Sequence, residues 1–301
     1  MISLVVATFH RTSELERLLA RLELQSFKDF EVVVVDQNAD ERLADILGRH
    51  HALKIRHLRC ELGASRARNA GLLAAEGSVI GFPDDDCWYA NDLLQRVNSW
   101  FESHPESDGL LGILRDENNQ PTGPKWPQGK GAATKETLWN SGITPVVFLT
   151  RHTVQTAGFF DEEIGPGTAS GYASGEDLDY FLRCVERGLH LRHDYDLAIR
   201  HPSFHRAERI RDTSYSYALG GGYILRKHRY SIRKFLDALV RSLAGMVVYS
   251  VKGDFFKARS YALRAAGLAR GYFFGPREIS KVPSLTRTPE RNQSQNPTRP
   301  V

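Results

Sequence analysis

The chain has 301 residues, of which 41% are hydrophobic, 25% charged and 10% aromatic. That length is about twice a typical domain, and the composition excludes a mostly disordered chain, a collagen and a long coiled coil. Forty Lys and Arg against 36 Asp and Glu leave a net charge of +4, too small a bias to argue for nucleic acid as a partner.

Met1 leads straight into the apolar run Ile2 to Val6. With no basic stretch before it and no small-residue cleavage site after it, a signal peptide is not expected. Ile2 to Ala7 reads as a buried strand. Ser13 and Glu16 have the spacing of a capping box, followed by Leu15, Leu18, Leu19 and Leu22 at helical intervals. Glu31 to Asp36 is a second strand, apolar on both faces as central parallel strands are. A short helix is expected near Leu43 to Gly48, a weaker strand over Leu53 to Leu58, a helix over Ala64 to Ala75 and a strand over Ser78 to Phe82. Such strand-helix repeats predict an open parallel sheet with right-handed crossovers, whose ligands bind beyond the carboxyl ends of the strands.

The middle is less regular. Asp116 to Thr134 is a long polar segment with Gly and Pro, expected to be functional or disordered. Val146 to Leu149 returns to strand character. Gly165 to Gly175 is a second glycine-rich loop, followed by a helix over Asp177 to Arg187 and a strand over Leu197 to Arg200. Composition shifts near Leu225. From Leu225 to Lys281 there are 13 Lys and Arg against Asp237, Asp254 and Glu278, a net of +10 that leaves −6 for the rest. Phe235, Leu236, Leu239, Val240, Leu243, Met246 and Val247 follow a helical repeat there. Residues 283 to 301 are polar, Pro-bearing and expected to be disordered. The best candidate for a bilayer crossing, Ser242 to Val251, is half of the roughly 20 residues needed. Cys60, Cys87 and Cys184 have no metal-type spacing, which speaks against a disulfide framework and for a reducing compartment.

Several clusters carry chemistry. Asp84, Asp85 and Asp86 follow the fourth predicted strand. Adjacent carboxylates repel one another, and hard cations such as Mg²⁺ or Mn²⁺ favour such oxygen ligands; the alternative is a solvated acidic turn. Gly63 to Gly71 opens a helix whose amino end, with Arg66 and Arg68, suits an anion; the alternative is a capped helix with exposed arginines. Asp36 ends the second strand, where it could accept from a base or ribose or simply close a turn. Gly175-Glu176-Asp177 places two carboxylates after a hinge, suited to a base or to an acidic helix cap. His201 and His205 could complete a metal shell or only hydrogen-bond locally.

In this order and spacing, the opening strand with Thr8 and Asp36, the Gly63–Gly71 segment with Arg68-Asn69, the aspartate cluster and Gly175-Glu176-Asp177 resemble the nucleotide-sugar-dependent glycosyltransferases of family 2. Val147 to Glu162, ending Gly158-Phe159-Phe160-Asp161-Glu162, is similar to the family's segment between the acceptor side and the second loop. The resemblance covers about residues 1–205. It implies the GT-A fold, an α/β architecture with a mostly parallel Rossmann-like sheet flanked by helices. The expected divisions are a catalytic unit at 1–214, a helical, basic, amphipathic extension at 215–281 and a tail at 282–301.

The resemblance also implies roles. Thr8, Asp36, Arg68, Asn69, Asp84 and Asp85 would line the nucleotide sugar. Asp84 and Asp86 match the ends of the family's Asp-X-Asp motif, with Asp86 the direct ligand of Mn²⁺ or Mg²⁺, Asp84 beside it and His201 a further candidate. Asp177 matches the catalytic base and Glu176 its acidic neighbour. Gln37-Asn38 departs from the hydroxyl and acidic residues common after the second-strand aspartate. A single base implies one-step transfer with inversion from a nucleotide-diphospho-sugar, taken as a UDP-sugar, to a saccharide or lipid-linked acceptor in envelope or extracellular polysaccharide synthesis. Residues 225–281 suit an interfacial helix on an anionic membrane, the alternative being a helical pair packed on the sheet or on another subunit. The expected location is cytoplasmic, peripheral on the inner membrane face. Rival readings are a non-catalytic sugar-nucleotide or polysaccharide-binding protein and a sugar nucleotidyltransferase, although Ala7 to Ser13 lacks the glycines of a nucleotide loop. A glycosidase has no use for the nucleotide-side motifs, and a nicotinamide enzyme would need G-x-G-x-x-G after the first strand.

Overall fold

The computed structural model describes residues 1–123, 126, 129–202 and 206–275. Its sheet contains β1 (Ile2–Thr8), β2 (Phe30–Asp36), β3 (Ile55–Arg59), β4 (Val79–Gly81), β5 (Gly109–Arg115), β6 (Gly131–Ala132), β7 (Val147–Thr150) and β8 (Leu191–Arg200). The strand order is β3-β2-β1-β4-β7-β5-β8-β6. Pairs within β1 to β4 are parallel, as are β5 and β8. β7 runs antiparallel to both β4 and β5, and β6 runs antiparallel to β8. The sheet is mixed and mostly parallel.

Helices α1 (Ser13–Glu23), α2 (Ala44–Arg49), α3 (Ala64–Ala74), α4 (Leu93–Ser103), α5 (Lys135–Ser141), α6 (Arg151–Ala157) and α7 (Glu176–Glu186) flank it. β2 is buried along its whole length, which is why its apolar run shows no alternation. Leu15, Leu18, Leu19 and Leu22 of α1 are all buried in the core. α3 lies so close to β1 that a Cβ on Gly71 would sit 2.2 Å from Val5 Cγ1. Only glycine fits that approach.

The expected capping box does not form. The residue before α1, Thr12, has helical dihedrals and no side-chain cap, Ser13 Oγ donates to Glu14 instead, and Glu16 pairs with Arg49 at 2.7 Å. β5 escaped the sequence reading because glycines interrupt its leucines. A Cβ on Gly112 would meet the Leu197 carbonyl oxygen at 2.4 Å, beside the register shift between Leu111 and Ile113. β8 begins six residues before the expected Leu197. Its alternating polar residues hid it, since β6 covers only His193 and Arg192 on that side. Within 116–134, Asp116 to Gln120 makes a closed turn and Gly131–Ala132 forms β6; residues 124, 125, 127 and 128 lie outside the described residues.

Three long helices follow: α8 (Arg206–Lys227), α9 (Ile232–Val251) and α10 (Phe255–Phe274). The expected boundary at 214 falls inside α8. A Cβ on Gly222, Gly267 or Gly271 would lie 2.0 to 2.3 Å from a carbonyl oxygen of the facing helix, so α8 and α10 touch backbone to backbone. Tyr223, Ile224 and Leu225 of α8 join the core built on the sheet. Among the described residues no helix is long and apolar enough to cross a membrane. His205 and the tail at 282–301 lie outside the described residues.

Candidate active site

Thr8 and Asp36 face each other in register at the carboxyl ends of β1 and β2. The chain leaving β4 through Phe82 and Pro83 brings Asp84, Asp85 and Asp86 to the same edge, where open α/β sheets hold their ligands. Asp36 is fully buried. Its Oδ1 accepts from the Asn38 backbone at 2.8 Å and from Asn38 Nδ2 at 2.7 Å, and its Oδ2 lies 3.2 Å from His57 Nε2. Asn38 Oδ1 accepts in turn from the His10 backbone at 2.8 Å, where the chain leaving β1 turns with φ of 60°. Gln37 Oε1 accepts from the Gly63 backbone at 2.8 Å. Gln37 and Asn38 therefore tie the exits of β1 and β2 to the start of α3.

Arg68, buried on α3, is the hub. Nη1 lies 3.0 Å from Asp177 Oδ1 and 3.4 Å from Glu176 Oε1, while Nη2 donates to Thr144 Oγ1 at 2.9 Å and lies 3.9 Å from Asp84 Oδ1. Burial opposes its charge, but Asp177, Glu176 and Asp84 hold the guanidinium above its usual range. Asp177 Oδ2 accepts two hydrogen bonds from one residue, from the Thr144 backbone at 2.9 Å and from its hydroxyl at 3.0 Å. Glu176 is pushed up to about 7 by burial, with Asp177 adding to the rise and Arg68 opposing it. Its side chain packs on Gly165, where φ is +110° and a Cβ would come within 3.0 Å of Glu176 Cγ and Cδ.

The aspartates share Arg11, whose Nη1 lies 2.6 Å from Asp85 Oδ1 and 2.6 Å from Asp86 Oδ2. Asp86 Oδ1 lies 3.2 Å from His201 Nε2. His201 reaches it because Trp88 and Arg200 exchange backbone hydrogen bonds at 2.9 and 3.1 Å, fastening the end of β8 beside the aspartates. Burial opposes the charge of His201, but Asp86 raises its pKa. Thr8 and Arg11 partly offset the rise that burial imposes on Asp85. Asp84, whose side chain stays 37% exposed, is raised above the ordinary carboxylate range, first by its partial burial, against the opposing Arg68 and with Asp86, Asp177 and Asp85 adding to the rise.

Asp84, Asp86 and Cys87 offer ligand atoms all within 4.8 Å of one another. Burial pushes the Cys87 thiol well up, and hard cations favour oxygen, so the two carboxylates are the fitting donors. Crowded carboxylates, one of them already held toward its neutral form, are the donor set that a divalent cation would relieve.

Two expected positions are engaged elsewhere. Asn69 donates from Nδ2 to the Phe160 carbonyl at 3.0 Å and to Glu162 Oε1 at 2.9 Å, and its Oδ1 accepts from the Phe160 backbone at 2.7 Å. Its amide thus braces the Gly158–Glu162 segment. The amino end of α3 is covered by the second glycine-rich loop: Ala64 N–H donates to the Pro166 carbonyl at 2.9 Å, and Ser65 Oγ to the Ile164 carbonyl at 2.8 Å. The anion expected there meets a donor already in use, and Arg66 points outward to Glu61 and Glu162. Arg11 and Thr144 were not foreseen. Arg11 stands in a stretch without any motif, and Thr144-Pro145 reads only as a strand approach, so neither left a signal in the sequence.

The family model described as Glycosyl transferase family 2 matches residues 3–155, just over half of the chain. The chain belongs to glycosyl transferase family 2. It is 29% identical over 212 residues to an uncharacterized glycosyltransferase of Haemophilus influenzae, covering 68% of this chain and 69% of that one. It is 26% identical over 231 residues to the amylovoran biosynthesis glycosyltransferase AmsB of Erwinia amylovora, covering 69% and 74%. Among solved structures, S. aureus TarS 1-349 in complex with UDP superposes with a TM-score of 0.59 at 18% identity, covering 93% of this chain and 94% of that one. Against a longer TarS chain the match spans 54% of that chain. The mannosyltransferase PcManGT of Pyrobaculum calidifontis in complex with GDP-Man and Mn²⁺ gives 0.54 at 16% identity, covering 91% and 76%. These likenesses establish the GT-A fold. The family 2 match stops at 155, so Glu176, Asp177 and all of α7 to α10 lie beyond it.

Proposed function

We propose that this family 2 glycosyltransferase moves a sugar from a nucleotide-diphosphate donor to a hydroxyl acceptor in one step, with inversion at the anomeric carbon. The observation that carries the reading is the convergence on Arg68 of Asp84, from the acidic edge, and Asp177, from the amino end of α7. Donor-side and base-side carboxylates thereby share one cation.

Asp177 is the base. Thr144 orients its Oδ2 with two hydrogen bonds, which leaves Oδ1, facing Arg68, as the oxygen that receives the acceptor proton. Glu176, held toward its neutral form, can donate a hydrogen bond to donor or acceptor without setting a second full negative charge beside Asp177. A single positioned base corresponds to displacement without a covalent intermediate. Asp36, with Thr8 nearby, forms the nucleoside end of the site, and Arg11 holds Asp85 together with Asp86. Asp84 and Asp86 would hold a divalent cation, with His201 as a further ligand or as the partner that orients Asp86. Such a cation, Mn²⁺ or Mg²⁺, supplies neutralisation of the diphosphate as it leaves.

TarS bound to UDP and PcManGT bound to GDP-Man and Mn²⁺ support a nucleotide-sugar donor and a cation, and AmsB supports polysaccharide synthesis as the setting. A UDP-sugar is our first choice of donor, and a saccharide or lipid-linked hydroxyl compound our choice of acceptor. The test is a thermal-shift screen of UDP-, GDP- and dTDP-sugars with and without Mn²⁺. A donor present at about 100 times its dissociation constant stabilises by roughly 2.7 kcal/mol. We expect one nucleotide series to raise the melting temperature only with Mn²⁺ present, and Asp86→Ala to abolish that rise. A rise that ignores Mn²⁺ and survives Asp86→Ala removes the cation from the proposal, and no rise with any donor removes the transferase reading.

A further inference from the structure

α9 buries Phe235 and Ser242 on one side and leaves the other open. Ile232, Leu236, Val240, Leu243, Val247 and Val251 are all exposed. Their spacing of four, four, three, four and four keeps them in one stripe along the helix. Over 20 residues that stripe extends about 30 Å. Aromatic side chains stand exposed at both of its ends. Beyond Val251, itself 84% exposed, the turn into α10 presents Phe255 at 74% and Phe256. At the other end Phe235 stacks on Tyr272 at 4.2 Å and meets Phe273 edge-on at 5.4 Å. That contact places the exposed Phe273 and Phe274 beside the start of α9.

Charge identifies the occupant. Residues 225–275 hold 11 Lys and Arg against Asp237 and Asp254. Arg233, Arg241, Lys252, Arg259, Arg264 and Arg270 are exposed, and among the described residues none of them makes a salt bridge. A second copy seated symmetrically on the stripe would bring two such cationic surfaces together. An anionic lipid surface satisfies both features at once, taking up the apolar stripe and attracting the cations.

We propose that α9 and the two phenylalanine pairs are a docking surface for an anionic phospholipid bilayer, with α9 lying in the plane of the interface. Phe255–Phe256 and Phe273–Phe274 insert at either end of the helix. The docking is independent of the transfer chemistry, because every residue in it lies outside the acidic edge.

The test is flotation of the full chain with vesicles of phosphatidylglycerol in phosphatidylcholine, compared with phosphatidylcholine alone, at low and high salt. We expect binding to the anionic vesicles at low salt and at least a tenfold loss at high salt. Val240→Glu combined with Val247→Glu should lose at least tenfold, with the melting temperature and its donor-induced shift unchanged. If that variant misfolds, Phe255→Ser combined with Phe274→Ser reads the same surface from its two ends and should show the same loss. The proposal falls if the full chain stays with the soluble fraction at low salt, or if stripe and end variants both float like the parent. It also falls if the parent sediments as an oligomer that these variants convert to monomer, which would make the stripe a contact between copies.

Discussion

Thr144 spends its backbone N–H and its hydroxyl on the same oxygen of Asp177, and accepts from Arg68 at that hydroxyl. With Arg68 Nη1 also 3.0 Å from its other oxygen, the carboxylate is held at three points and cannot rotate away from an incoming hydroxyl. Asp177→Asn keeps the shape but removes the proton acceptor, so donor-induced stabilisation should persist while transfer drops by about 10²- to 10⁴-fold. Thr144→Val removes the hydroxyl and leaves the backbone donor in place. Losing the hydroxyl's bonds to Asp177 and Arg68, about 1 kcal/mol each, should lower turnover by roughly ten- to thirtyfold. Single-turnover rates on the two variants check the order. Equal losses would mean that Thr144 does more than aim the base, and an unaffected Asp177→Asn would remove Asp177 from the chemistry.

At the scale of elements, α7 carries Asp177, the base we propose, at its amino end and is fastened to α8 further along. Asp179 Oδ1 lies 2.9 Å from Lys227 Nζ and 2.8 Å from His228 Nε2, and Oδ2 lies 3.0 Å from Arg183 Nε. Lys227 also reaches Asp161 at 2.7 Å, and His228 Nδ1 reaches Glu186 at 2.9 Å. Burial opposes ionisation of Asp179, but the hydrogen bond to His228 and the charges of Arg183 and Lys227 hold its carboxyl far below the usual range. Asp179→Asn would strand them around a neutral amide, and urea unfolding should show a loss of about 3 to 5 kcal/mol. Glu186→Gln, at the half-exposed rim of the same network, should cost under about 1 kcal/mol.

β8 carries a second buried titrating group. Burial pushes His193 down to about 4 from 6.5, beside Thr137 Oγ1 at 3.1 Å. The folded state binds this proton less readily than the unfolded chain, so its contribution is complete above 6.5 and is lost as pH falls toward about 4. His193→Gln should therefore flatten the urea midpoint between those two values. The Asp179 contribution, present above its ordinary 3.8, should still be lost at lower pH. A variant profile that keeps the parent's slope between pH 6.5 and 4 would assign the acid sensitivity to other groups.

For the molecule as a whole, α8 is part of the structure that holds the candidate active site. A Cβ on Gly175, just before Glu176, would come within 2.7 Å of Ile224 on α8, and one on Gly220 would sit 2.1 Å from the Ser174 carbonyl oxygen. α8 therefore packs against the turn that presents both acidic residues. A chain cut after residue 205 would leave Asp161 and Asp179 buried without Lys227, and would uncover the core surface that Tyr223, Ile224 and Leu225 fill. We expect that fragment to be insoluble, or to lack a cooperative thermal transition by circular dichroism. A cooperative melt near that of the full chain would show that the sheet folds without the extension.

The amino-acid sequence alone determined the alternating first half, because strands buried on both faces and helices buried on one leave unambiguous apolar patterns, as in Glu31 to Asp36 and Leu15 to Leu22. It also marked the acidic candidates, since Asp84 to Asp86 and Glu176-Asp177 stand together in the chain where a fold without a ligand would seldom crowd them. Tertiary structure alone decided what joins them. Arg68 and Thr144 are 76 positions apart, and Arg11 and Asp85 are 74 apart, yet both pairs are in contact. β7 and β5 enter the sheet through pairings that periodicity does not encode, and the glycines of α8 and α10 matter only because another backbone lies against them. Local pattern records which face of an element is buried; which distant side chain completes a charge or a hydrogen bond is set by topology.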